Sequence, residues 1–197
     1  MSRLTKLISA GLMMGLAFFL LSAPAAHGQL NSNTATVTLS ATLGESLTVS
    51  AAPTSGSAVN FTLVSGGTAT GSAPVAMTTS WVMKGSRSSV TMTGYFSSAA
   101  QAMAGTGSSP AYIPTSEILG QVTTGAPTTF TAFTQTPTGS ALGTAGASLV
   151  LFTQAVSGTN RASSRTDNLN LQINLTSQPQ LPADTYTGTL NLQAQAL

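Results

Sequence analysis

The chain has 197 residues, of which 42% are hydrophobic and only 5% are charged, and it contains no cysteine. Soluble domains carry about a quarter charged residues, so this surface must be built from other polar groups. Serine and threonine supply 58 positions. Disulfides are excluded, and a chain of this length can bury one core without them.

Residues 1–28 have the features of a secretory signal peptide. Basic residues precede an apolar run over residues 7–21, and small residues follow at 23–28. The run is shorter than the about 20 residues that span a bilayer, and no twin-arginine pair precedes it. We predict export by the general secretion pathway to the periplasm, the cell surface or the medium. Cleavage is expected after Gly28, with Ala25 and Ala26 as alternative sites, and would leave no membrane span. An uncleaved anchor is the other alternative.

Cleavage changes the charge of the chain. Two of the six basic residues, Arg3 and Lys6, lie in the predicted signal peptide, so four remain to balance the four acidic residues. A neutral mature chain gives no support for nucleic acid as a partner. It also has little charge repulsion between copies, which favours association.

Apolar residues alternate with serine, threonine or asparagine through most of the mature chain, which is typical of half-buried strands. Residues 97–111 are predicted to form a loop, 114–119 a short turn and 122–133 a hairpin. Ser148–Ala155 has apolar residues on both faces, which predicts a central strand. The alternating segments are 35–49, 59–63, 75–83, 90–96, 169–175 and 186–196. The predicted fold is all-β: a single antiparallel immunoglobulin-like sandwich of about eight or nine strands over residues 29–197.

The residue types exclude several chemistries. The only histidine, His27, lies in the predicted signal peptide. A mature chain without histidine or cysteine cannot form a Ser-His-Asp or Cys-His site, or a zinc site made of those ligands. Arg165 and Asp167 predict either a loop hydrogen bond or an Arg–Asp pair at the start of a strand, rather than a calcium site. We therefore predict no enzymatic activity, no cofactor and no metal site.

Two tyrosines are candidates for contact with a ligand. Tyr95 is out of phase with the apolar positions Val90, Met92 and Phe96, and Tyr112 falls in a predicted loop. Exposed aromatic faces are suited to stacking on sugars. A carbohydrate-binding module, or a module for another ligand, is therefore the alternative function.

The segment Leu181-Pro182-Ala183-Asp184-Thr185-Tyr186-Thr187-Gly188-Thr189-Leu190 is followed by alternating residues to the C-terminus. It resembles the closing strand of bacterial pilin-like sandwiches, the spore coat protein U and archaic fimbrial-subunit families. It differs from them in Asp184, where glycine is usual, and in lacking their cysteine pair. The resemblance implies a pilin-like sandwich in which Tyr186 is a structural corner, bonding back to the chain.

The resemblance also directs attention to the uncharged N-terminal positions Ala35, Val37, Leu39, Ala41 and Leu43. They alternate strictly and lack the charges and prolines that protect sheet edges. They could add as a strand to a neighbour's open sheet; the alternative is an ordinary first strand. The predicted function is a secreted, non-enzymatic structural or adhesive surface component, with copies of itself or other surface proteins as partners.

Overall fold

The computed structural model describes residues 32–107 and 110–197, and the predicted signal peptide lies outside them. The described residues form antiparallel sheets with one short 3-10 helix at Thr115–Glu117, which confirms the predicted all-β fold. Residues 43–197 make up one compact unit, and residues 32–42 belong to a separate one. Within the described part, no helix is long and apolar enough to cross a membrane.

Twelve strands lie in the described residues, and five of them are only two or three residues long. The seven longer strands are fewer than the eight or nine predicted, and the short pairings raise the total above that number. In chain order the strands are β1 (Ser46–Pro53), β2 (Thr68–Thr70), β3 (Val75–Val82), β4 (Ser89–Tyr95), β5 (Met103–Gly105), β6 (Tyr112–Ile113), β7 (Ile118–Val122), β8 (Thr131–Ala132), β9 (Ser148–Ala155), β10 (Ala162–Asn174), β11 (Tyr186–Thr187) and β12 (Asn191–Ala196).

Two sheets form the sandwich. The larger has the order β1-β3-β10-β7-β8, with β2 also paired to β10, and the smaller has the order β12-β4-β9. A third small sheet has the order β11-β5-β6. The strand order leaves β1 and β12 as edge strands, each with one hydrogen-bonded neighbour among the described residues.

The core lies between the two larger sheets because each contributes one apolar face. In β3 the buried residues are Val75, Met77, Thr79 and Trp81, and the residues between them are half-buried. The smaller sheet contributes a matching set, which includes Val90, Met92, Leu149, Leu151 and Phe152. The Trp81 indole N–H donates to the Asn160 carbonyl oxygen at 2.8 Å, so its buried polar atom is satisfied.

Phe133 occupies the centre of the core, in a space left by two glycines. A Cβ at Gly94 of β4 would lie 3.1 Å from the Phe133 ring, and one at Gly120 of β7 would lie 3.1 Å from its other edge. The two sheets therefore approach the ring where neither carries a side chain. Phe96 packs edge-to-face on the same ring, with centroids 5.3 Å apart.

The prediction that Ser148–Ala155 is a central strand is wrong, because β9 is an edge of its sheet. A register shift opposite Met92 and Thr93 skips Leu151, so Leu151 and Phe152 are both buried although they are adjacent. On the outer side, the Val150 N–H donates to Gln135 Oε1 at 2.8 Å. The apolar residues on both faces of β9 are therefore explained by a bulge and by a loop that covers its outer edge, and they do not indicate a central strand.

Other predicted strands also differ. Residues 59–63 keep the alternation of half-buried and exposed side chains but form no strand. The predicted strand 186–196 is divided into β11, which pairs with β5, and β12, which pairs with β4. Gly188 lies between them, and a Cβ there would be 2.2 Å from the Ala102 carbonyl oxygen. The predicted loop 97–111 contains β5.

We predict that Phe133→Ala lowers the free energy of unfolding by about 3–5 kcal/mol, because it empties the space between Gly94 and Gly120. Val64→Ala is the control, since Val64 is exposed, and should change stability by less than about 0.5 kcal/mol. Urea denaturation followed by tryptophan fluorescence measures both. Equal effects would contradict a core centred on Phe133.

Candidate strand-addition site

The N-terminal arm, residues 32–43, has no secondary structure, and every one of its residues is exposed. Its larger apolar side chains are almost wholly in water: Val37 is 81% exposed, Leu39 89% and Leu43 85%. The arm therefore does not form the ordinary first strand considered above. Isolated strands lack hydrogen-bond partners for their backbone, so an alternating segment needs a sheet edge before it can pair.

Two such edges lie side by side in the sandwich, those of β1 and β12, and the boundary between them is called the seam. The strands run in opposite directions along it. Leu47, near the start of β1, shares a surface depression with Ala194 and Ala196 at the end of β12. Residues 51–53, at the end of β1, share a groove with residues 188–192, which lead into β12.

The groove at this second end opens onto the core. It has a volume of about 360 Å³ and is bordered by residues 51–53, 57–59 and 188–192. Its floor is made of core side chains: Val75, Phe96, Ile118, Leu171 and Ile173. None of the residues that line it is charged. Such an apolar groove beside an unpaired edge can accept alternate side chains of an added strand.

The first end of the seam is bridged by polar contacts. Glu45 Oε1 lies 3.3 Å from Arg87 Nε, and Arg87 Nη1 donates to the Ala196 carbonyl oxygen at 3.3 Å. The backbone N–H of Lys84 also donates to Glu45 Oε1, at 3.1 Å. This bond, with the side chains of Arg87 and Lys84, outweighs desolvation and holds the pKa of Glu45 below its ordinary value. Contacts made by Arg87 thus tie the approach to β1 to the end of β12.

The other acidic residues have separate partners. Burial raises the pKa of Asp167, but hydrogen bonds from Arg165 and Thr124 and the charge of Arg165 outweigh it, so the pKa is lowered. Arg165 also lies over the Phe152 ring, 4.7 Å from its centroid. Glu117 accepts a hydrogen bond from Ser177. These contacts stabilise the fold.

We predict that Asp167→Asn lowers the free energy of unfolding by about 2 kcal/mol at neutral pH, because it leaves Arg165 without its partner. A lowered pKa gives stability that is complete above the unfolded-state pKa and is lost as pH falls through the folded-state pKa. In urea denaturation, the difference in free energy of unfolding between the variant and the unmodified chain should therefore shrink as the pH is lowered and Asp167 becomes protonated. Exposed Asn168→Ala is the control; a difference independent of pH would contradict the charge-based account.

Tyr186 is the residue predicted as a structural corner. Its hydroxyl donates to the Pro182 carbonyl oxygen at 2.7 Å. Desolvation, and then the charge of Asp184, raise its pKa. Asp184 itself accepts a bond from the Thr106 hydroxyl at 2.6 Å and one from the Gly107 N–H at 3.1 Å. The bend before β11 is therefore held to the residues that directly follow β5, the strand with which β11 pairs.

The two candidate ligand-contact tyrosines lie in different sheets. Tyr95, at the end of β4, is half-buried, and its hydroxyl donates to Gln193 Oε1 at 3.2 Å. Tyr112 belongs to β6 in the small sheet and is 36% exposed. Their placement in separate sheets gives no support to a common sugar platform. Contact between either tyrosine and a ligand stays a prediction.

The seam is the feature that sequence reasoning missed. The alternation in β1 and in residues 190–196 indicates half-buried faces, but it carries no information on which edges remain unpaired. The groove is bordered by three separated segments and floored by residues of other strands, so only the strand order reveals it.

Within residues 32–107 and 110–197, no group of three or more His, Cys, Asp or Glu side chains could hold a metal ion. Neither family models, nor curated proteins, nor solved structures give a match to the chain. Any proposal about function must therefore rest on the sequence and the structure of this chain.

Proposed function

We propose that the protein is a secreted, non-enzymatic component of the cell surface, structural or adhesive, whose copies associate by strand addition. The observation that carries this proposal is the arm. Its alternating apolar side chains, Val37, Leu39 and Leu43, are more than four-fifths exposed in the described structure.

Burial of the arm supplies a physical reason for association. Moving one valine or leucine side chain from water into an apolar groove stabilises the bound state by about 1.5–3 kcal/mol. Pairing with an edge strand also gives the backbone N–H and C=O groups of the arm fixed partners. Both gains require that the arm contact a sheet.

The composition supports the same proposal. The mature chain is neutral, and residues 32–43 contain neither the charged residues nor the prolines that normally keep sheet edges apart. The predicted signal peptide would place such copies outside the cytoplasm, where they can assemble on a surface.

We expect the unmodified chain, taken from the surface fraction of the source cells, to run as a ladder in a denaturing gel without boiling. Boiling should collapse the ladder to a monomer, because only non-covalent strand pairing joins the copies. A single monomer band in both lanes would contradict association by stable strand addition.

We predict that Leu39→Asp abolishes this ladder, because it places a charge on the apolar side of the arm where it would enter a groove. Thr38→Asp is the matched control: it adds the same charge at the adjacent position, on the opposite side of an extended strand, and should leave most of the ladder intact. Equal loss in both variants would show that charge alone, rather than the alternating face, controls association.

A further inference from the structure

We infer that the outer face of the smaller sheet holds a binding pocket for one neutral sugar residue, beneath the loop that joins β8 to β9. The pocket has a volume of about 220 Å³, and all of its lining belongs to a single copy of the chain. The inference therefore goes beyond the proposed association and does not depend on it. The pocket is also distinct from the two candidate tyrosines, because neither Tyr95 nor Tyr112 lines it.

The roof of the pocket is a strap, residues 135–142, that is held against the sheet at two points. On the β9 side, the Val150 N–H donates to Gln135 Oε1 at 2.8 Å. On the β12 side, Gln195 Nε2 donates to the Ser140 carbonyl oxygen at 2.9 Å. Since β4 lies between β9 and β12, the strap crosses the outer face of the sheet, and the pocket is the space between the strap and the strands.

The same two bonds determine which atoms the glutamine side chains offer to a ligand. A backbone N–H requires an acceptor, so Gln135 meets Val150 with its oxygen; a carbonyl requires a donor, so Gln195 meets Ser140 with its nitrogen. Within residues 32–107 and 110–197, the remaining atoms, Gln135 Nε2 and Gln195 Oε1, make no hydrogen bond. Both side chains line the pocket, so a donor and an acceptor are held in place beside it.

The floor of the pocket adds a hydroxyl group. Thr93 of β4 is only 5% exposed and lines the pocket, and its Oγ1 makes no hydrogen bond with any residue that the structure describes. Among those residues, the fully enclosed polar atoms without a partner are Thr79 Oγ1 and Gln178 Oε1, so Thr93 Oγ1 has its remaining exposure in the pocket. A hydroxyl group withdrawn from bulk water without a partner costs free energy, and a ligand that supplies the hydrogen bond recovers it.

The chemistry of the lining fits a neutral ring that is rich in hydroxyl groups. None of the lining side chains is charged, and apolar side chains such as Pro137 and Val150 lie among the hydroxyl and amide groups. A pyranose ring has the same mixture, since its hydroxyl groups donate and accept while its C–H groups are apolar. A carboxylate or sulfate would lose hydration here without gaining a cation. Pockets for drug-sized ligands measure about 300–1,000 Å³, so this smaller one suits a single ring.

The test is retention of the full chain on an array of immobilised glycans. Neutral glycans that end in glucose, galactose, mannose or N-acetylglucosamine are compared with sialylated and sulfated glycans. We expect retention on at least one neutral ending and release by the matching free monosaccharide, because the pocket takes a single ring. Retention on none of the glycans, or on the anionic ones alone, would overturn the inference.

The first variant removes the hydroxyl group of the floor. Thr93→Val keeps the shape of the side chain and should lower retention about tenfold, since the ligand loses one hydrogen bond. Thr70→Val is the matched control: Thr70 is exposed in β2, outside the pocket, and its substitution should leave retention unchanged. Equal retention by the two variants would overturn the role of Thr93 in the site.

A second pair of variants decides the question if Thr93→Val destabilises the fold. Ala141 is an exposed residue of the strap that lines the pocket, so Ala141→Trp should fill the pocket and abolish retention. Ala145→Trp is its control, because Ala145 is exposed in the same loop but does not line the pocket. Equal retention by the two tryptophan variants would overturn the site. A monomer band in place of the unboiled ladder, with retention intact, would overturn strand addition alone.

Discussion

The constraint on which the structure depends is that the edge of a β-sheet must be paired, covered or blocked. Charged side chains are a common means of blocking, and this chain has only 5% of them. β8 is two residues long, and β9 is approached on its outer side by the residues around Gln135. β1 and β12 are longer, and the groove between their edges opens onto the core. The same chain carries an uncharged, alternating segment that pairs with nothing in the described structure.

Alternation predicted the all-β fold and several strands because it reports directly which side chains face the core. β3 and β10 are examples: Val75–Trp81 and Leu169–Ile173 bury every second residue, as their sequences require. The pairing of Arg165 with Asp167 was one of two alternatives that the sequence offered, and the structure forms it within β10, where residues two apart lie on the same side of the strand.

What alternation could not predict is pairing. Residues 59–63 bury alternate side chains against the core and yet form no ladder, so burial and strand formation are separate properties. The bulge at Leu151 gives an edge strand the composition of a central one. The division after Thr187 depends on the close approach of Gly188 to Ala102, which no local pattern shows. For the same reason, the seam between β1 and β12 could be identified only from the strand order. Tyr95 and Tyr112, which the sequence offered as candidates for one ligand site, lie in different sheets.

Hydrogen exchange of the arm amides in the assembled protein tests the central claim most directly, because it reports backbone pairing without any substitution. Residues 35–43 should exchange slowly in the unboiled assembly, as paired strand amides do, and rapidly in monomer released from it. Exchange at the rate of an unstructured chain in both forms would contradict strand addition as the means by which copies of this protein associate.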